Sequence, residues 1–264
     1  MNIFTIKYIG IFFLIISFFS FFNIIYSYYF NLLNYLNSYI FTFLGSLSLG
    51  FFSIFFKQYK FEKINLYERI LTVLFGYFFL PILISIPYFL SIENISIINC
   101  YFEAISGFTS TGFTIFNNLQ KVDQTLILWR SSSQWIGGLY FLFSILLLID
   151  VFDDNLKRSL TNYISLNTKE IFKQTFKIIM IYLSMTFLIF LMLKFVNLRS
   201  YDAYNYSLTI ISSGGFLPNN NFDIIFNSDT SKIILALSML FSFFSLFFIF
   251  NLIFFKKKKY KLFK

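Results

Sequence analysis

Hydrophobic residues run in long blocks along this chain, and two short polar, glycine-bearing stretches interrupt them at matching places. A helix that crosses a bilayer needs about 20 predominantly apolar residues, with a range of roughly 17 to 25. Six blocks meet that requirement, at 8–30, 39–56, 70–90, 125–149, 178–196 and 233–255. The polar stretches read Ser106-Gly107-Phe108-Thr109-Ser110-Thr111-Gly112-Phe113-Thr114 and Thr209-Ile210-Ile211-Ser212-Ser213-Gly214-Gly215-Phe216. A short amphipathic segment precedes each, and another apolar span follows. The predicted fold class is all-α integral membrane, with about six spans and two re-entrant loops.

From residue 70 onward the pattern repeats. The first unit, 70–150, is a span, a re-entrant stretch at 97–117 and a span. The second, 178–264, is a span, a re-entrant stretch at 203–220, a span and a basic tail. An extra helix pair with its loop, 1–69, precedes them, and a charged linker, 151–177, joins them. The first span is too long for a signal-peptide core and lacks a small-residue cleavage site, so it reads as a retained helix. Pro81 and Pro87 in the third span are tolerable kinks inside a bundle.

Composition agrees with a bilayer protein. The chain is 58% hydrophobic and 12% charged, against about 25% charged residues in soluble domains. The 43 Phe, used alongside many Ile, Asn, Lys and Tyr, fit an AT-rich coding bias better than a stacking role. The absence of histidine excludes imidazole metal sites and histidine acid–base chemistry. A lone Cys100 excludes an intrachain disulfide and a cysteine metal cluster.

The net charge of +9 is a topology signal and not a nucleic-acid footprint. With the N-terminus placed in the cytoplasm, 16 of the 21 basic residues fall on the inner side. These are Lys7, the set from Lys57 to Arg69, the set from Lys157 to Lys177, and the tail from Lys256 to Lys264. Lys121, Arg130, Lys194, Arg199 and Lys232 fall on the outer side or at outer span ends. Basic residues concentrate in cytoplasmic loops, so both termini are expected inside and both polar stretches enter from outside. The tail lysines also suit anionic lipid.

Non-helical backbone at membrane depth is tolerated only where protein or a water-filled cavity surrounds it. Two such segments therefore point to a pore. Short helices are expected at about 97–108 and 201–211, followed by turns at Gly112 and Gly214. Glycine suits such turns because it tolerates positive φ and close approach. Thr109, Ser110, Thr111, Ser212 and Ser213 are small and polar enough to line a narrow wet path. Backbone carbonyls can replace a cation's hydration shell, and helix C-terminal ends favour a cation.

Three motifs then carry a resemblance. They are Phe102-Glu103-Ala104-Ile105-Ser106-Gly107-Phe108-Thr109-Ser110-Thr111-Gly112, Leu128-Trp129-Arg130-Ser131-Ser132-Ser133-Gln134-Trp135-Ile136-Gly137-Gly138, and Tyr201-Asp202-Ala203 with Ile211-Ser212-Ser213-Gly214-Gly215-Phe216. With these the chain resembles the Trk/Ktr/HKT superfamily of potassium transporters, in the N-terminal half of its TrkH-like membrane subunits. The resemblance implies a potassium-selective pore of four span–loop–span units around a pseudo-fourfold axis, in the cytoplasmic (inner) membrane. It implies Gly112 and Gly214 as filter glycines. Carbonyls of Thr109 through Thr111 and of Ile211 through Ser213 would stand beside them. Potassium would be held chiefly at Thr111, Gly112, Ser213 and Gly214, as transported substrate and not as a cofactor. It also implies a cytosolic nucleotide-binding regulatory partner at the inner face. The family continues through two further units. Completion by a homodimer, completion by a second half-transporter chain, and a non-conducting remnant or regulatory subunit all stay open.

Around the filter, Glu103 is expected to bond neighbouring backbone or Arg130, and Arg130 to brace the pore loop, since a charge in a span usually has a partner. Asp202 is expected to cap the second short helix. Gln134, Trp135, Gly137 and Gly138 read chiefly as packing, because small residues let membrane helices approach. Gly215 and Phe216 read as shaping the turn after the filter. The spacing from Gly107 to Gly112 matches a phosphate loop, but Phe113 stands where lysine is needed and no strand precedes it. No nucleophile elbow is present either. The expectation is a transport protein and not an enzyme.

Overall fold

The computed structural model describes residues 3–55, 66–148, 168–219 and 225–244, and among them every regular element is helical. In chain order these are α1 (Ile3–Tyr29), α2 (Leu36–Phe55), α3 (Leu66–Ser91), α4 (Ile97–Phe108), α5 (Gln124–Leu148), α6 (Thr168–Phe195), α7 (Ser200–Ile211) and α8 (Asp229–Phe243). Five helices are long and apolar enough to cross a membrane: α1, α2, α3, α5 and α6. The expected sixth span is described only as the 15 residues of α8. Its remainder and the basic tail lie outside the described residues. Helix α6 starts at Thr168, ten residues before the apolar block begins at Ile178. Helical backbone continues there past the apolar stretch, through a segment carrying Lys173 and Lys177.

Helices α1 and α2 form a hairpin whose seam is small and polar. Ser17, Ser20, Asn23 and Ser27 are buried on α1, and Ser38, Thr42 and Ser46 on α2. Ser20 Oγ donates to the Tyr39 carbonyl at 2.8 Å. Small side chains permit this approach, and hydroxyls hydrogen-bond where no water competes. The hairpin docks through Tyr39, whose hydroxyl donates to Thr125 Oγ1 at 3.0 Å. Phe12 adds an edge-on contact to Tyr140 at 4.8 Å, and Phe19 lies 5.1 Å from Trp135.

Helix α5 is the centre of the molecule. Its apolar window is 78% buried, against 33% for α2 and α6. It packs on α1, α3, α4, α6 and α7. Both short helices therefore pack on this one helix.

Candidate pore site

The segments after α4 and α7 adopt the same backbone. Thr109 and Ser212 cap their helices with φ of −85° in both cases. Ser110 and Ser213 follow in the left-handed region, at φ of 55° and 54°. The Ser110 and Ser213 amides donate back to the Gly107 and Ile210 carbonyls, both at 3.0 Å. Those of Thr111 and Gly214 donate to Ser106 and Thr209 at 3.0 and 2.9 Å. This paired reach-back is the Schellman ending of a helix, here with serine where glycine is usual. One residue further, Gly112 and Gly215 take φ of 81° and 77°.

That register corrects the expected pairing of Gly112 with Gly214. Gly112 corresponds to Gly215, and Gly214 corresponds to Thr111. The two adjacent glycines made the sequence ambiguous, and the positive φ resolves it. Gly215 is thus equivalent to Gly112, not a residue that merely shapes the turn beyond it.

The strands lie side by side. A Cβ built on Gly112 would meet the Gly214 carbonyl oxygen at 2.6 Å, whereas one on Gly215 would meet nothing within 4 Å. Their aromatic neighbours differ likewise: Phe113 is 68% exposed and Phe216 is 2% exposed. Hydroxyls expected to line the path are partly engaged elsewhere. Thr109 Oγ1 donates to Ile105 O at 2.8 Å and lies 2.6 Å from Thr111 Oγ1, and Ser212 Oγ donates to Leu208 and Thr209 carbonyls. Ser110 and Ser213 line a 360 Å³ cavity at the C-terminal ends of α4 and α7, together with Thr109, Ser212, Gly137 and Gly138.

Helix α5 holds both strands. Arg130 Nε donates to Glu103 Oε1 at 2.8 Å, with both side chains fully buried. Arg130 Nη2 donates to Thr114 Oγ1 at 3.0 Å, and the Ile115 amide donates to Glu103 Oε2 at 2.9 Å. Arg130 Nη1 has no hydrogen-bond partner among the described residues. Its guanidinium carbon lies 4.2 Å from the Phe216 ring centroid and 5.2 Å from that of Phe116, within cation–π range. One turn on, Gln134 Nε2 donates to the Gly214 carbonyl and Gln134 Oε1 accepts from the Phe216 amide at 3.2 Å. Gln134 is therefore a polar clamp as well as a packed residue.

The glycine pair follows on the same helix. A Cβ on Gly137 would run into the Phe108 backbone, and one on Gly138 into Tyr182 and Ser212. Each glycine seats the end of one short helix. Asp202 departs from its expected capping role. The cap residue of α7 is Arg199, which makes no side-chain capping bond, and Asp202 pairs with it in the first turn at 3.0 Å. The contributions of Thr114 and Ser106 (whose hydroxyl donates to Phe113 O) had no separate signal in the sequence. The clamp had one: Arg130, Gln134, Gly137 and Gly138 fall at i, i+4, i+7 and i+8, one helix face.

Comparison with known proteins shows what the chain is similar to. The chain is 32% identical over 208 residues to an uncharacterised cation transporter of Methanocaldococcus jannaschii, covering 74% of this chain and 42% of that one. It is 28% identical over 213 residues to the Trk system potassium uptake protein TrkH of Salmonella typhimurium, covering 76% of this chain and 43% of that one. The fold matches the crystal structure of the potassium transporter TrkH from Vibrio parahaemolyticus with a TM-score of 0.72. That match covers 94% of this chain and 52% of that one, at 23% identity. The chain is TrkH-like. No protein-family model matches it. The TrkH-like chain spans about half the length of the curated relatives it matches.

Proposed function

We propose that the chain supplies half of a cation-conducting path through the cytoplasmic membrane, and that the ion is potassium. The observation that carries this reading is the pair of matching helix–strand units whose strands touch at Gly112 and Gly214. Non-helical, carbonyl-bearing backbone at the ends of two helices suits a dehydrated cation, because carbonyl dipoles replace its water and helix C-termini carry partial negative charge. The candidate ligands are the carbonyls of Thr111, Gly112, Ser213 and Gly214, and the backbone match adds Gly215. The choice of potassium rests on relatives named as potassium uptake proteins.

Two strands cannot enclose an ion. The open space beside Gly215 and the exposed Phe113 ring suit completion by further strands, from a second copy or from another half. The same open edge supports a second reading, a non-conducting structural or regulatory membrane subunit. Both termini are taken to lie in the cytoplasm, where the linker and basic tail would meet lipid and a nucleotide-binding regulatory protein.

The test is potassium-dependent growth of a bacterial host lacking its own potassium uptake. Wild type is expected to restore growth at low potassium, and Gly112→Ser and Gly215→Ser to abolish it, since side chains there oppose positive φ. Absence of rescue, with the protein confirmed in the membrane, would remove the self-sufficient pore and favour the second reading.

A further inference from the structure

We infer that Gln134 is a positioning residue that sets the discrimination between potassium and sodium; the inference rests on the pore reading above. Its side chain is completely buried on α5, a helix of the first unit, yet both of its hydrogen bonds go to the second unit's strand. The amide donates to one carbonyl of that strand and accepts from the amide two residues on. It thereby satisfies main-chain groups as a neighbouring strand would. The Gly214 carbonyl so held is the atom that abuts Gly112. Gln134 therefore fixes how closely the two strands approach.

Arg130 reinforces that hold. Its guanidinium covers Phe216, the residue whose amide Gln134 accepts, while Glu103 ties the same arginine to the first strand's side. The clamp is particular to this junction, because α8 carries neither arginine nor glutamine over its described length.

A clamp between strands matters for selectivity for a physical reason. A smaller cation is well coordinated only if the carbonyls move inward. A strand pinned by two buried hydrogen bonds resists that movement, because a buried polar group deprived of its partner is costly. Pinning therefore disfavours sodium more than potassium.

The test uses the purified full chain in detergent, with its melting temperature followed against potassium and sodium chloride in turn. Gln134→Met removes both hydrogen bonds at similar volume. Gln134→Glu keeps the acceptor for the Phe216 amide and sets an oxygen against the Gly214 carbonyl. Wild type is expected to be stabilised at lower concentrations of potassium than of sodium. Both variants are expected to lower that concentration ratio about tenfold, which corresponds to about 1.4 kcal/mol. A variant that melts earlier without added ion but keeps the wild-type ratio assigns Gln134 a structural role alone and overturns the inference. A wild type stabilised by neither ion removes a cation site formed by this chain and its own copies, and with it the inference, and that failure is separate from the first.

Discussion

At the residue scale, the informative unit is the buried pair Glu103 and Arg130. Both were legible as charged residues beside the first glycine-bearing stretch, because a charge inside an apolar span calls for a partner. The structure adds what each holds. Glu103 gathers Thr114, the Ile115 amide and Arg130, so the chain leaving the first strand is tied back to its own helix. Removing one member leaves the other charge buried and uncompensated, which costs about 3–5 kcal/mol in proteins. Arg130→Met and Glu103→Gln are each expected to fall in that range. The double variant is expected to cost clearly less than their sum, because it leaves no lone charge. Melting of the four proteins in one detergent measures the coupling, and additive losses would mean the two groups act independently. Gln134 was legible as a supporting residue, but not the contacts it makes. Beyond packing, it clamps the second strand, and a single sequence does not say which of two neighbouring glycines its amide will reach.

At the element scale, spans and short helices were readable almost throughout. The short helix expected at 97–108 forms over those residues, and α7 begins one residue before its expected start. Long apolar blocks and abrupt polar stretches leave little choice of period. Register was less accessible. The Gly214-Gly215 doublet admits two alignments, and only the left-handed turn at Ser213 selects one. The seam of α1 and α2 was also hidden, because scattered serines do not change a hydropathy average. Glycines separate functional from incidental contacts at this scale. The backbone of Phe108 fills the space a side chain on Gly137 needs, whereas Gly45 has nothing within 4 Å of a built Cβ. Gly137→Ala is expected to destabilise by at least the ~1–3 kcal/mol typical of overpacked cores, because backbone cannot rotate away as a side chain can. Gly45→Ala is expected to be neutral or to stabilise by up to about 1 kcal/mol through helix propensity. Equal effects in thermal melts would show that α4 does not bear on α5 at that point.

At the scale of the whole molecule, the charge distribution predicts which side the strands enter from. Sixteen basic residues lie in segments assigned to one side, and the other five, including the buried Arg130, lie at or toward the other. Short loops rich in lysine and arginine resist translocation, so Lys121, between the first strand and α5, is expected outside, and Lys173, at the start of the α6 span, inside. Both side chains are exposed, which makes them usable reporters. The native thiol gives little background: Cys100 is buried within α4, and burial pushes its pKa up, leaving little thiolate to react. Lys121→Cys is expected to react with a membrane-impermeant maleimide in intact cells, and Lys173→Cys only after permeabilisation. The reverse pattern would turn the molecule over. The 360 Å³ cavity beneath the helix ends would then open outward, and an uptake path entering through the two strands would have to be abandoned, whatever their internal geometry.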